Sequence, residues 1–102
     1  MPVIIVATVK PLPEHRDEVK ATFIAAVEQV HGENGCELYA LHENDDRLVM
    51  VEKWASQEAV RAHGGSPALA KLGADLEGKI VGGLDVVYLQ PVPAGEPAKG
   101  QL

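Results

Sequence analysis

Glu52 stands in the middle of the apolar run Leu48–Ala55 (LVMVEKWA), where a carboxylate is least expected. Acidic side chains are almost never fully buried unless something holds them. Desolvation disfavours the charged carboxylate, so a glutamate in such a place has its pKa raised toward neutrality and becomes a usable general base. Trp54 follows two residues later, and Tyr39 lies in the preceding run Cys36–Glu43 (CELYALHE). His63, beside Gly64 and Gly65, adds a group that exchanges protons near neutral pH. Each has a plainer reading. Glu52 could simply be held by Tyr39 or an arginine, and Trp54 could be core. The Tyr39 hydroxyl needs a partner wherever it is buried, and His63 could cap a helix end at the surface.

These residues share a surface only if the two runs form a hairpin of the right register. Asn44-Asp45-Asp46-Arg47 is a turn sequence. With an even loop, Glu43 faces Leu48, Leu41 faces Met50, Tyr39 faces Glu52 and Glu37 faces Trp54. Opposed residues lie on one face of a sheet, so Tyr39, Leu41, Met50, Glu52 and Trp54 line a single surface. An odd loop would put Tyr39 and Glu52 on opposite faces.

The other elements follow from periodicity. Val3–Lys10 (VIIVATVK) reads as a strand apolar on both faces, which Pro11 and Pro13 stop because neither donates a backbone N–H. A helix is expected from about Glu14 to His31, with Val19, Phe23, Ala26, Val27 and Val30 on its buried stripe and Gly32 as the left-handed residue ending it. Ser56 is a good N-cap for a short helix through His63, and Ser66-Pro67 starts another that carries Leu69, Leu72 and Leu76 up to about Gly78. Leu84–Gln90 (LDVVYLQ) is the last strand. Pro91–Leu102 (PVPAGEPAKGQL) has no periodicity and reads as a mobile tail, one that can also wrap a partner subunit.

Strand, helix, strand, strand, interrupted helix, strand predicts an α+β domain over residues 1–90. Its expected form is ferredoxin-like, βαββαβ, a four-stranded antiparallel sheet with its helices on one face. The first and last strands are apolar on both faces, so a second subunit is expected to cover the other face, giving a homodimer.

Composition narrows the function classes. The 102 residues carry a formal charge of -6 and no cluster of lysine or arginine, which argues against nucleic acid as a partner. No run of about 18 apolar residues could span a bilayer, and the first residues lack a signal peptide's basic flank, so a cytoplasmic protein is expected, with no membrane partner. The single cysteine, Cys36, permits no intramolecular disulfide. His15, His31, His42 and His63 share no metal-ligand spacing, and Glu43, Asp45 and Asp46 do not begin a calcium loop, so no metal site is expected. There is no phosphate-cradling glycine motif and no nucleophile turn.

Lys10-Pro11, Glu33-x-Gly35-Cys36-x-x-Tyr39, Glu52-x-Trp54 followed by Ser56-x-Glu58-Ala59, and His63 with Ser66-Pro67 together resemble the antibiotic biosynthesis monooxygenase family over about residues 3–90. The resemblance implies a dimeric α+β barrel with a cavity between each sheet and its helices. It also implies oxidation of quinols or anthrone-type phenols by dioxygen, with no metal, flavin or haem cofactor. Carried over, Trp54 resembles a family pocket wall, Tyr39 and His63 resemble pocket polar groups, and Glu52 matches the glutamate of the E-x-W motif. On that reading Glu52 or His63 is expected to act as the base and Tyr39 to orient the substrate oxygen, with Trp54, Met50, Leu41 and Phe23 expected to contact the substrate. Two departures stand out: Ala68 occupies the place of a histidine found in many members, and Val3–Lys10 lacks the asparagine of the haem-degrading branch. An isomerase branch acting on a small phosphorylated ketone is the second reading. It is weakened because no arginine falls on the pocket strands and Lys53 faces away from Trp54. A non-catalytic binding protein for small aromatics is the third.

Overall fold

The Cys36–Trp54 hairpin is closed at its tip by Asn44, whose backbone carbonyl also accepts from the Arg16 guanidinium at 2.6 Å. Asn44 Oδ1 accepts from the backbone N–H groups of Asp46 and Arg47, each at 3.0 Å, which closes the four-residue loop. In this computed structural model, which describes all 102 residues, the hairpin strands belong to a run of seven main elements. They are β1 (Val3–Val9), α1 (Arg16–Val30), β2 (Cys36–Glu43), β3 (Leu48–Trp54), α2 (Gln57–Gly64), α3 (Pro67–Leu76) and β4 (Asp85–Leu89). The strands form one antiparallel sheet in the order β2-β3-β1-β4, which is the ferredoxin-like arrangement expected from the element order.

The even loop sets Glu43 opposite Leu48, Leu41 opposite Met50 and Tyr39 opposite Glu52. The expected Glu37–Trp54 pair does not form. A bulge between Cys36 and Leu38 shifts the register, so Cys36 faces Trp54 and Glu37 is the extra residue. Its carboxylate lies 3.7 Å from Lys53 Nζ.

Leu48, Met50, Glu52 and Trp54 are buried while the residues between them are only half-buried, a strict period of two. Val3, Ile5 and Val9 of β1 and Tyr39 of β2 join them, and Val19, Phe23, Ala26 and Val30 of α1 with Ala68, Leu72 and Leu76 of α3 complete the core. Helix starts follow capping chemistry. Ser56 and Ser66 accept from the backbone N–H groups of Ala59 and Leu69, and Pro67 occupies the first turn of α3.

Three local expectations need correction. A 3-10 turn at Pro13–His15 precedes α1, which therefore begins later than expected. The left-handed residue at the exit of α1 is Gly35, with φ of 83°, and not Gly32. Pro11 does not end pairing: it bridges Ile80, because Leu12 N–H donates to Lys79 and Lys10 C=O accepts from Val81, so the proline needs no N–H of its own.

All of β4 is exposed, and its residues Val86, Val87, Tyr88 and Leu89 present apolar surface on both faces. Beyond it, Leu102 reaches the helix-free face of the sheet, where Lys53 Nζ donates to its backbone oxygen at 2.8 Å. No helix is long and apolar enough to cross a membrane.

Candidate active site

Between the helix-facing side of the sheet and α1, α2 and α3 lies a cavity of about 160 Å³. Ile5, Ala7 and Met50 line it from the strands, Phe23 from α1, and Val60, Leu69 and Leu72 from α2 and α3. Leu84, Val86 and Tyr88 form its β4 side, where Tyr88 is 65% exposed. Three polar side chains reach this apolar space from different elements: Tyr39 from β2, Glu52 from β3 and His63 from α2. A larger depression of about 510 Å³ between α1 and α3 is an open groove of alanines and surface charges, and it contains no buried titratable group.

Glu52 and His63 are buried at 4% and 6% exposure, and Tyr39 beside them at 4%. The group that holds Glu52 is neither Tyr39 nor an arginine. Trp54 Nε1–H donates to Glu52 Oε1 at 2.9 Å, from a side chain two residues along the same face of β3. His63 Nε2 lies 4.0 Å from the same oxygen, too far for a direct hydrogen bond. The opposite ring nitrogen, Nδ1, is 2.8 Å from Glu33 Oε1. His63 is thus no surface cap. Its ring is tilted against the Trp54 indole at a centroid separation of 4.4 Å and meets Tyr39 edge-on at 5.6 Å.

Electrostatics divide the roles. Burial pushes the Glu52 carboxyl above its ordinary value, and the negative charge of Glu33 adds to this, while the Trp54 hydrogen bond and the charge of His63 oppose it. Burial, reinforced by the carboxylates of Glu52 and Glu33, pushes the Tyr39 phenol well above its ordinary value. Tyr39 therefore stays a neutral O–H donor across physiological pH. Proton acceptance falls to Glu52 and His63.

The structure brings together Tyr39, Met50, Glu52, His63 and Phe23 around the cavity. Trp54 and Leu41 do not line it. Trp54 is fully buried behind Glu52, where its indole holds the carboxylate and packs on His63, and Leu41 lies at the margin of the core on the outer strand. Sequence reasoning missed the contribution of β4 and the role of Glu33, which stood in a quoted motif but was not assigned to the site. No group of three or more His, Cys, Asp or Glu side chains is arranged to hold a metal ion.

The fold and this cavity define a ferredoxin-like α+β domain that encloses a small apolar site beside a carboxylate–imidazole pair. The chain belongs to the antibiotic biosynthesis monooxygenase family, whose sequence pattern matches residues 2–74. Rv0793 of Mycobacterium tuberculosis, provisionally named a monooxygenase, is 35% identical over 68 residues, which cover 65% of this chain and 67% of that protein. The structure of Rv0793 superposes with a TM-score of 0.87 at 28% identity, covering 94% of this chain and 100% of the other. A Caulobacter crescentus protein provisionally described as an antibiotic biosynthesis monooxygenase gives 0.83 at 27% identity, covering 89% and 90%. PA3566 of Pseudomonas aeruginosa, at 21% identity and a TM-score of 0.82 over 89% and 94%, shares the fold.

Proposed function

We propose that the protein is a homodimeric monooxygenase that oxidises a single-ring quinol with dioxygen and needs no bound cofactor. The observation that carries this reading is the Glu52–His63 pair at the wall of a small apolar cavity. A cavity of about 150 Å³ lined by apolar side chains accommodates one benzene ring, so a volume of about 160 Å³ suits a single-ring substrate. Tyr39 donates to one substrate oxygen. The Glu52–His63 pair takes the proton from the other, breaking its O–H bond and leaving the electron pair on a phenolate. That electron-rich anion reduces dioxygen directly. One oxygen atom ends bonded to the ring and the other leaves as water, so quinol plus dioxygen gives hydroxyquinone plus water with no outside reductant. The apolar walls hold the ring in place and keep bulk water from the reacting anion.

The isomerase reading is weaker because no lysine or arginine lines the cavity to bind a phosphate, and Glu52 would repel one. The binding-protein reading is separated from the enzyme by turnover. Oxygen consumption by chelator-treated protein with a monocyclic quinol supports the oxygenase, and ligand binding without oxygen consumption supports the binding protein.

A further inference from the structure

The polar chain behind the cavity does not stop at His63. Glu33 follows α1 in the loop Gly32–Gly35, thirty residues from His63 in sequence, yet its Oε1 lies 2.8 Å from His63 Nδ1. Three features hold the contact. The Glu33 N–H donates to Val30 C=O and its own C=O accepts from Cys36 N–H, which ties the loop to both neighbouring elements. Gly35, at φ of 83°, lets the loop press on α2: a Cβ there would stand 2.5 Å from Ala59 Cβ. Ala59 and His63 are one turn apart on α2, so this close approach also delivers the imidazole to the carboxylate. The second carboxylate oxygen, Glu33 Oε2, is buried without a hydrogen-bond partner. A buried acceptor left unpaired is costly, so the placement of Glu33 is not explained by its own hydrogen bonding.

We propose that Glu33 is a positioning residue that makes His63 the base of the site, an inference that rests on the oxygenase reading above. A carboxylate only accepts, so Nδ1 must be the nitrogen that carries hydrogen in the neutral ring. Nε2, on the side of Glu52, is then left with its lone pair free. When the substrate O–H breaks, its proton joins Nε2 and the electron pair stays on the substrate oxygen. The imidazolium so formed is flanked by Glu33 on one side and Glu52 on the other. The arrangement follows the logic of an orienting carboxylate behind a catalytic histidine, in which the carboxylate fixes tautomer and direction and stabilises the transient positive ring without taking the proton itself. The proton later goes to the oxygen that leaves as water.

The test is ring-nitrogen NMR of ¹⁵N-histidine-labelled full-length protein at a pH where His63 is neutral, its signals assigned with a His63→Gln variant. Wild type should show His63 protonated at Nδ1 and bare at Nε2. Glu33→Gln keeps the size of the side chain but can donate as well as accept, so the ring should shift toward the Nε2–H tautomer. With a monocyclic quinol, the same variant should lose at least tenfold in kcat with KM little changed. A wild-type His63 protonated at Nε2 overturns the proposal, as does a Glu33→Gln protein whose tautomer is unchanged. If the tautomer shifts but kcat does not, the positioning role in the reaction is overturned. If wild type consumes no oxygen, the oxygenase reading fails by itself, while the NMR still decides whether Glu33 sets the tautomer.

Discussion

The Glu52 carboxylate stands at the wall of an apolar cavity, where the Trp54 indole N–H donates to its Oε1 at 2.9 Å. A charge in LVMVEKWA signals a held carboxylate, and the period of two within β3 places it and Trp54 on the helix side of the sheet. Which group holds it was not legible, because the indole N–H reaches Oε1 only through side-chain rotamers. Burial raises the Glu52 pKa, so the folded state binds more protons there than the unfolded chain does. Stability is therefore lost as pH rises from the ordinary glutamate range through the raised value. Thermal melts across that window should show Glu52→Gln with a flatter pH dependence than wild type, and turnover in this variant should fall more than substrate binding. Trp54→Phe removes the N–H that lowers the Glu52 pKa, so the acidic limb of the rate profile should move to higher pH. The same substitution removes a hydrogen bond to a charged group and should cost about 2 kcal/mol in denaturant melts. Unchanged ligand affinity in Trp54→Phe is expected, since the indole lies outside the cavity lining.

At the scale of elements, the site depends on three backbone devices. The Asn44-closed turn fixes the parity that puts Tyr39 opposite Glu52. The bulge beside Cys36 is harder to read from sequence, because nothing in Cys36-Glu37-Leu38 departs from ordinary strand alternation. The third device is the loop at Gly35. The contact it makes between Glu33 and His63 is set by how closely α2 approaches, a tertiary quantity with no sequence period. The residue type alone, a glycine at position 35 just before β2, is the one sequence signal there, and the structure shows it used for a left-handed φ and a close approach to Ala59. Gly35→Ala should cost about 1–3 kcal/mol, from the positive φ and the clash with Ala59. It should also separate Glu33 from His63, giving the same loss of the Nδ1–H tautomer in NMR as Glu33→Gln.

At the scale of the molecule, strand order and the placement of the helices follow from the alternation of apolar runs, and the domain matches the architecture expected from them. The exposed apolar residues of β4 support the expected second subunit, because contiguous apolar surface of this kind marks an interaction site. The wild-type protein should sediment as a dimer at micromolar concentration. Val87→Lys, a charge placed on the helix-free face of β4, should yield a folded monomer; wild-type sedimentation as a monomer would contradict the dimer. The most direct test of the oxygenase assignment is oxygen uptake by chelator-treated wild-type protein given a monocyclic quinol, beside the Glu52→Gln variant and a blank without protein. Uptake above the blank that survives chelation and falls in the variant is the expected result. Uptake no greater than the blank across several single-ring quinols would contradict the oxygenase assignment.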